Sequence, residues 1–310
     1  MLPIFISCDE NYSAHLATTI ISAIINCKEP EKLKFIIGDA GLKANTRSTL
    51  TSMIEKYGSH VAFVYLDDSK FSGLKIKRYG KSIYFRFYLD ELLDDEELVL
   101  CLDCDTVVVG DLLDIYRETS GESFTIAAVE NIGRSPYSRL GLKKGDYFNC
   151  GLMLINMKQW KEKNIGKKGL EFLLSHPELC AHNEQCAINK VIQGEWHRLP
   201  LTWNAQRPAY KILEKRMNEQ HRDKNEFLKS IQEPIMVHYM GKNSKPWDAH
   251  SLHPLKALYT IYRRKTPWPV GTQKTALHRK IRFYASVQKL FLYEKRRRMS
   301  KQLIDMHESA

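Results

Sequence analysis

No long hydrophobic run occurs in this sequence of 310 residues. Its longest uncharged stretch, Asn11 to Cys27, is diluted by Asn11, Ser13, His15, Thr18, Thr19 and Ser22. It falls short of the roughly 20 apolar residues that a bilayer-crossing helix needs. A secretory leader is not expected, because Asp9 and Glu10 stand where a positive n-region belongs, so the expected location is the cytosol. Cysteine is sparse and odd in number, seven in the whole chain, which excludes a complete disulfide framework and predicts reduced thiols. No internal repeat is visible. Hydrophobic residues at 43% and charged residues at 27% exclude disordered, collagenous and low-complexity classes. The length suits about two domains or one large α/β domain with an appendage.

Negative charge is also short: 36 acidic residues face 47 basic ones, a net of +11. The imbalance is local. Gly271 to Ala310 carries ten basic and three acidic residues, leaving only +4 for the other 270. A basic terminal segment predicts an anionic partner, either nucleic acid or an anionic membrane.

Hydrophobic periodicity predicts a strand at Pro3–Ser7 and a helix over Tyr12–Asn26. Strands follow at Leu33–Gly38, His60–Tyr65, Phe124–Val129, Phe148–Ile155 and Pro234–Tyr239. The apolar run Glu97 to Val109 also reads as a buried strand, its segment Glu97–Leu102 ending in acidic residues. Helices are expected near Asn45–Tyr57, Ile83–Leu93, Gly166–Ser175, Asn183–Ile192 and His221–Ile231. Strands alternating with helices predict an α/β fold with a mostly parallel sheet, in which ligands gather at the carboxyl ends of strands. Pro254, Pro267, Pro269 and Gly271 mark the end of the catalytic unit, giving an expected domain at 1–265 and a basic helical extension at 266–310.

Two constellations carry chemistry. Leu100-Cys101-Leu102-Asp103-Cys104-Asp105 runs a strand into two carboxylates two residues apart, which project to one side of an extended chain. Hard oxygen ligands at a sheet edge suit Mg²⁺ or Mn²⁺, which can hold a diphosphate. A solvated loop is the plainer account of Asp-x-Asp, but the place of this one after a buried strand favours ligation. Cys101 and Cys104, three apart in a strand, point to opposite faces and are not expected to bind metal. The second constellation is His238-Tyr239-Met240-Gly241-Lys242-Asn243-Ser244-Lys245-Pro246-Trp247, after the apolar run Ile235 to Val237. A histidine leaving a strand, a glycine and lysines suit a metal-diphosphate site.

These pieces resemble glycosyltransferase family 8, retaining enzymes of GT-A type. The resemblance rests on Phe5-Ile6-Ser7-Cys8-Asp9-Glu10-Asn11-Tyr12, Tyr84-Phe85-Arg86, Leu102-Asp103-Cys104-Asp105, Tyr147 to Asn156, Asn183 to Asn189, Leu199-Pro200 with Trp203-Asn204, and His238 to Trp247, in family order. It implies a GT-A, Rossmann-like mixed sheet flanked by helices. It also implies a UDP-sugar donor, its uracil and ribose received by Ser7, Asp9, Asn11 and Tyr12. Asp9 and Asn11 also suit plain helix capping. Arg86 and Cys104 would line the donor side. Asp103, Asp105 and His238 would ligate a metal, with Mn²⁺ favoured over Mg²⁺ by the mixed oxygen and imidazole set. Gly241 and Lys245, or Lys242 in its place, would contact the diphosphate. Asn149, Glu184 and Gln185 would surround the sugar; Glu184 stands where the family usually carries Asp. With Gln185 near the anomeric carbon and no carboxylate nucleophile, a same-face reaction fits better than double displacement.

The implied activity is hexose transfer, galactose or glucose, to a saccharide or glycolipid acceptor such as lipopolysaccharide. The basic extension would attach the enzyme to the cytoplasmic face of the inner membrane. A nucleotidyltransferase is the alternative enzyme. Nucleic-acid binding would use the tail with Phe283, Tyr284, Phe291 and Tyr293. It leaves Asp103, Asp105 and His238 without a role, so no nucleic-acid partner is expected.

Overall fold

Leu2-Pro-Ile-Phe-Ile-Ser-Cys8 forms a strand, β1, that is buried almost throughout, as a run of apolar side chains must be when helices cover both faces of a sheet. In the computed structural model, residues 1–76, 80–210, 223–241, 245–249, 251, 253–271 and 294–309 are described. Two units divide the chain: Met1–Leu16, Glu29–Cys104 and Leu113–Leu199 form the first, and Ala17–Lys28, Asp105–Leu112 and Pro200–Ala310 the second.

In the first unit β1 pairs in parallel with β2 (Leu33–Asp39), which pairs in parallel with β3 (His60–Val64). On its other side β1 runs parallel to β4 (Leu98–Leu102), with Ile4 opposite Leu100 and Phe5 opposite Cys101. Beyond β4 the sheet turns antiparallel through β7 (Phe148–Asn156) and β6 (Ile126–Glu130), then ends on β8 (His197–Arg198). The order is therefore β3-β2-β1-β4-β7-β6-β8, seven strands in a mixed α/β sheet. Strand order reverses between β1 and β4, and a crevice opens at such a switch point outside the carboxyl ends of the strands. Asp9 and Asp103 follow those two ends. A core including Phe5, Phe85, Phe87, Val99, Met153, Ile155 and Trp160 fills the space between sheet and helices.

The expected helix over Ile83–Leu93 is instead a 3-10 segment, Ser82–Tyr88, followed by a single α-turn, Leu89–Leu92. Four consecutive residues, Tyr84, Phe85, Arg86 and Phe87, are buried, so the segment has no solvent face. Its close neighbour is the helix Ile165–Ser175, where a Cβ on Gly166 would lie 2.1 Å from the Phe87 carbonyl oxygen.

The run Glu97 to Val109 is likewise not one strand. It breaks at Asp103-Cys104-Asp105 into β4 and β5 (Thr106–Val108), which belong to different sheets. In the second unit β10 (Met236–His238) sits between β5, antiparallel, and Ala205–Gln206, parallel. The polar residues that dilute Asn11 to Cys27 serve the outer edge of β5. Thr19 Oγ1 donates to the Thr106 carbonyl at 2.8 Å, Ser22 Oγ accepts from Val108 N at 2.9 Å, and Asn26 Nδ2 donates to the Val108 carbonyl at 3.0 Å. A helix is thereby docked on a strand edge without orphaned backbone groups. Later in the same unit, Lys256–Arg264 packs against Lys301–Ser309, with Tyr262 Oη 2.7 Å from His307 Nδ1. Ser300 Oγ donates to the Ile231 carbonyl at 3.0 Å. No helix among the described residues is long and apolar enough to cross a membrane.

Candidate active site

Ser7, Cys8 and Asp9 leave the carboxyl end of β1. Asp9 Oδ1 accepts from Tyr12 N at 3.2 Å, capping the 3-10 turn Glu10–Tyr12, so the capping role expected of Asp9 is present. Asn11 is exposed, while Tyr12 is half-buried with its ring edge-on to His15, centroids 5.2 Å apart. The neighbouring Glu10 is structural: its carboxylate accepts from Lys43 N and Thr46 Oγ1, both at 2.9 Å.

Arg86 occupies the middle of the buried 3-10 segment. Nη1 donates to Glu184 Oε1 at 3.1 Å and Nη2 to Asp103 Oδ1, so one guanidinium ties the first residue of the helix Glu184–Ile192 to the end of β4. Burial works against the charge on Arg86, and Asp103 and Glu184 outweigh it, leaving arginine firmly cationic. Burial pushes the Glu184 carboxyl up to about 7, Arg86 pulls it down, and the charge on Asp103 adds to the rise.

Gln185 is held on every side of its amide. Oε1 accepts from Asn149 Nδ2 at 3.2 Å and Cys150 N at 3.1 Å, and Nε2 donates to Tyr147 Oη at 3.1 Å and Asn131 Oδ1 at 3.5 Å. Tyr147 Oη in turn lies 3.1 Å from His182 Nδ1 and 3.2 Å from Cys186 Sγ. Asn189 clamps the same helix to β7, accepting from Phe148 N at 2.8 Å and donating to the Phe148 carbonyl at 3.0 Å. Asn131, Tyr147 and His182 are the residues that reading the sequence for site positions missed. Asn131 and His182 stand in no motif, Tyr147 opens the run Tyr147 to Asn156 without a role assigned to it there, and only the pairing of β6 with β7 and the packing of the helix on β7 collect them.

In the second unit, His238 ends β10 and is buried. Its Nδ1 donates to Asn204 Oδ1 at 3.1 Å, and its Nε2 faces Asp105 Oδ1 at 3.2 Å. Tyr239 N donates to the Asp105 carbonyl at 3.0 Å, extending the β5–β10 ladder by one residue. With the Nδ1 proton given to Asn204, the Nε2 lone pair meets a carboxylate oxygen, an arrangement that a shared cation stabilises. Asp103, Asp105 and His238 each offer one ligand atom, and these atoms lie within 4.8 Å of one another. Two carboxylates and an imidazole are a donor set that fits a divalent cation. Lys245, buried and beside the Trp247 ring at 5.6 Å, ion-pairs with Asp105 Oδ2. Gly241 takes the positive φ of 92° that a side chain would strain. Lys242 lies outside the described residues.

The seven cysteines are free thiols. Cys101 is buried in β4, which pushes its thiol up to about 12, and Cys104 is half-buried in the turn. Burial, the Cys104 thiol and the carboxylates of Asp9 and Asp39 raise Cys8 well above the ordinary thiol range.

The sequence profile of Glycosyl transferase family 8 matches residues 3–251. General stress protein A of Bacillus subtilis is 28% identical over 274 residues, covering 85% of this chain and 93% of that protein. Lipopolysaccharide 1,2-glucosyltransferase of Escherichia coli is 23% identical over 276 residues, covering 86% of this chain and 79% of its own. The galactosyltransferase LgtC, solved with donor and acceptor sugar analogs, superposes with a TM-score of 0.75 at 22% identity, over 86% of this chain and 97% of that one.

Proposed function

The chain belongs to glycosyl transferase family 8 and is a glycosyltransferase with the LgtC fold, and from that premise we propose a retaining, divalent-cation-dependent hexosyltransferase that uses a UDP-sugar. The observation that carries this reading is the trio Asp103, Asp105 and His238, with the Nδ1 of His238 already committed to Asn204. A divalent cation held by that trio, Mn²⁺ by its donor set, would neutralise charge on the donor diphosphate. Lys245 and the backbone at Gly241 would add to that neutralisation. Asp9, Asn11 and Tyr12, with Ser7 and Cys104 alongside, would receive uridine.

Arg86 and Glu184 would hold sugar hydroxyls, their geometry fixed by the ion pair between them. Gln185 is an orienting group rather than a nucleophile, since four partners engage its amide. The acceptor hydroxyl would attack the anomeric carbon on the face that UDP leaves. Its proton would pass to the departing phosphate oxygen, so the α configuration is retained. Galactose and glucose are the favoured sugars, and the names of the enterobacterial relatives support lipopolysaccharide or a related surface glycan as acceptor.

Attachment to the cytoplasmic face of the inner membrane would use the basic extension. On a helix Arg282, Ser286 and Lys289 would form a polar stripe among apolar and aromatic side chains, but these residues lie outside the described ones, and the basic run Lys295 to Arg298 follows them. Of the cluster that follows, Arg296 is fully buried, leaving Lys295, Arg297 and Arg298 as the exposed cations.

A thermal-shift screen of UDP-sugars with and without Mn²⁺ tests the donor reading, because a ligand of the native state raises its melting temperature. One UDP-hexose should stabilise the protein several degrees more with Mn²⁺ than without. Equal curves for every donor in both conditions would contradict it.

A further inference from the structure

The parallel register of β1 and β4 brings together two cysteines that the sequence separates by 96 positions. Ile4 faces Leu100 and Phe5 faces Cys101. Continued past the end of β4 at Leu102, that register points Cys8, the last residue of β1, toward Cys104 in the turn that follows. Opposed residues on adjacent parallel strands project to the same face and sit roughly 5 Å apart. That spacing falls within the Cα separations of about 4.4–6.8 Å that a disulfide spans. Cys8 Sγ donates to the Asp9 carbonyl at 3.0 Å, and the Cys104 thiol lies near enough to act on the Cys8 thiol. The visible Cys-x-x-Cys therefore misidentifies the pair: Cys101 belongs to the buried core, and the partner of Cys104 is Cys8.

We propose that Cys8 and Cys104 form a reversible disulfide, a modification site whose closure displaces the Asp103-Cys104-Asp105 turn. The order of events follows from access. Cys104 is half-buried and meets an oxidant first, whereas Cys8 is 1% exposed and acts as the resolving thiol. With a peroxide as oxidant, the Cys104 thiol takes one oxygen to become a sulfenic acid and one water leaves. The Cys8 thiol then attacks that sulfur, the S–O bond breaks, a second water leaves and the S–S bond forms. Two thiols lose two electrons and one peroxide gains them. A thiol donor returns the pair to the reduced state.

The consequence is mechanical. Two neighbouring thiols must approach to about 2.04 Å to bond. Cys8 is held in the ladder with β2, opposite Asp39, so Cys104 in the turn makes the movement, and its two neighbours are carboxylates. Oxidation is expected to weaken divalent-cation binding. That second half rests on the metal reading given above, while the disulfide does not.

Reduced full-length protein treated with hydrogen peroxide, then alkylated and mapped by mass spectrometry, tests both halves when paired with a thermal-shift titration using Mn²⁺ alone. Expected are a loss of 2 Da, a linked peptide joining Cys8 to Cys104, loss of the Mn²⁺-induced shift, and recovery of both by dithiothreitol. Cys8→Ala should keep its Mn²⁺ shift after peroxide, and Cys104→Ser should fail to form the linked peptide. Absence of a Cys8–Cys104 link in the wild type overturns the disulfide, and a link that leaves the Mn²⁺ shift intact overturns the switch. A reduced protein that never responds to Mn²⁺ contradicts the metal reading, with the linked peptide still deciding the disulfide.

Discussion

Glu184 is the residue at which the site and the stability of the fold meet. Its carboxyl rises from the ordinary 4.5 to about 7 because burial outweighs the pull of Arg86. Between those values the folded chain keeps a proton that the unfolded chain has released. The stabilisation is thus full below about pH 4.5 and is lost as pH rises through about 7. Across that window Glu184 should contribute a decline on the order of 3 kcal/mol. Urea denaturation of wild type and Glu184→Gln at several pH values between 4.5 and 8 reads this directly: the wild-type stability should fall more steeply, and parallel profiles would refute the assignment. The same residue shows where a sequence is informative. Glu184, Gln185, Asn149, Asp103 and His238 were legible because each lies in a motif or at a strand end. Their partners Asn131 and His182 stood in no motif, and Tyr147 and Asn204 stood in motifs without an assigned role, because a hydrogen bond between residues dozens of positions apart leaves no local pattern.

At the scale of elements, hydropathy located most strands and helices but misjudged two places where tertiary packing dictates the backbone. Glu97 to Val109 is apolar enough for one strand, yet its centre holds the acidic turn that passes the chain from one sheet to another. Within Ile83 to Leu93 the four consecutive residues Tyr84 to Phe87 are all buried, and burial on every side of that stretch favoured the tighter 3-10 segment that carries Arg86. The helix Ile165–Ser175 meets this segment through Gly166 and Gly169, where a Cβ would stand 2.1 Å from the Phe87 carbonyl oxygen and 2.9 Å from the Phe87 ring. The first obstacle is backbone and cannot swing aside. Gly166→Ala should therefore cost about 3 kcal/mol or more of stability, measured by denaturant midpoint. Gly169→Ala, facing a side chain, should cost less. Equal stability of Gly166→Ala and wild type would mean that the two segments do not pack as described.

Over the whole molecule, the surplus of positive charge has a specific place. Lys295, Arg297 and Arg298 are exposed next to the helix Lys301–Ser309, whereas Arg296 is buried, so the exposed basic surface on which the proposed membrane attachment rests is smaller than the run of four basic residues implies. Each exposed cation near an anionic bilayer contributes about 1 kcal/mol. Changing Lys295, Arg297 and Arg298 together to Glu should cut co-sedimentation with anionic vesicles by more than tenfold while leaving the fold intact, because these side chains lie on the surface. Unchanged sedimentation would remove this cluster from the membrane role. The central claim, cation-dependent transfer from a UDP-sugar, depends most directly on Asp105, which meets both His238 and Lys245. The most direct measurement follows UDP release from a UDP-hexose in Mn²⁺, for wild type and Asp105→Asn, with the anomeric configuration of the product read by NMR. The account predicts UDP rather than pyrophosphate, an α-linked product, and at least a hundredfold loss of rate in Asp105→Asn without loss of fold. Near wild-type turnover by that variant, or a β-linked product, would contradict it.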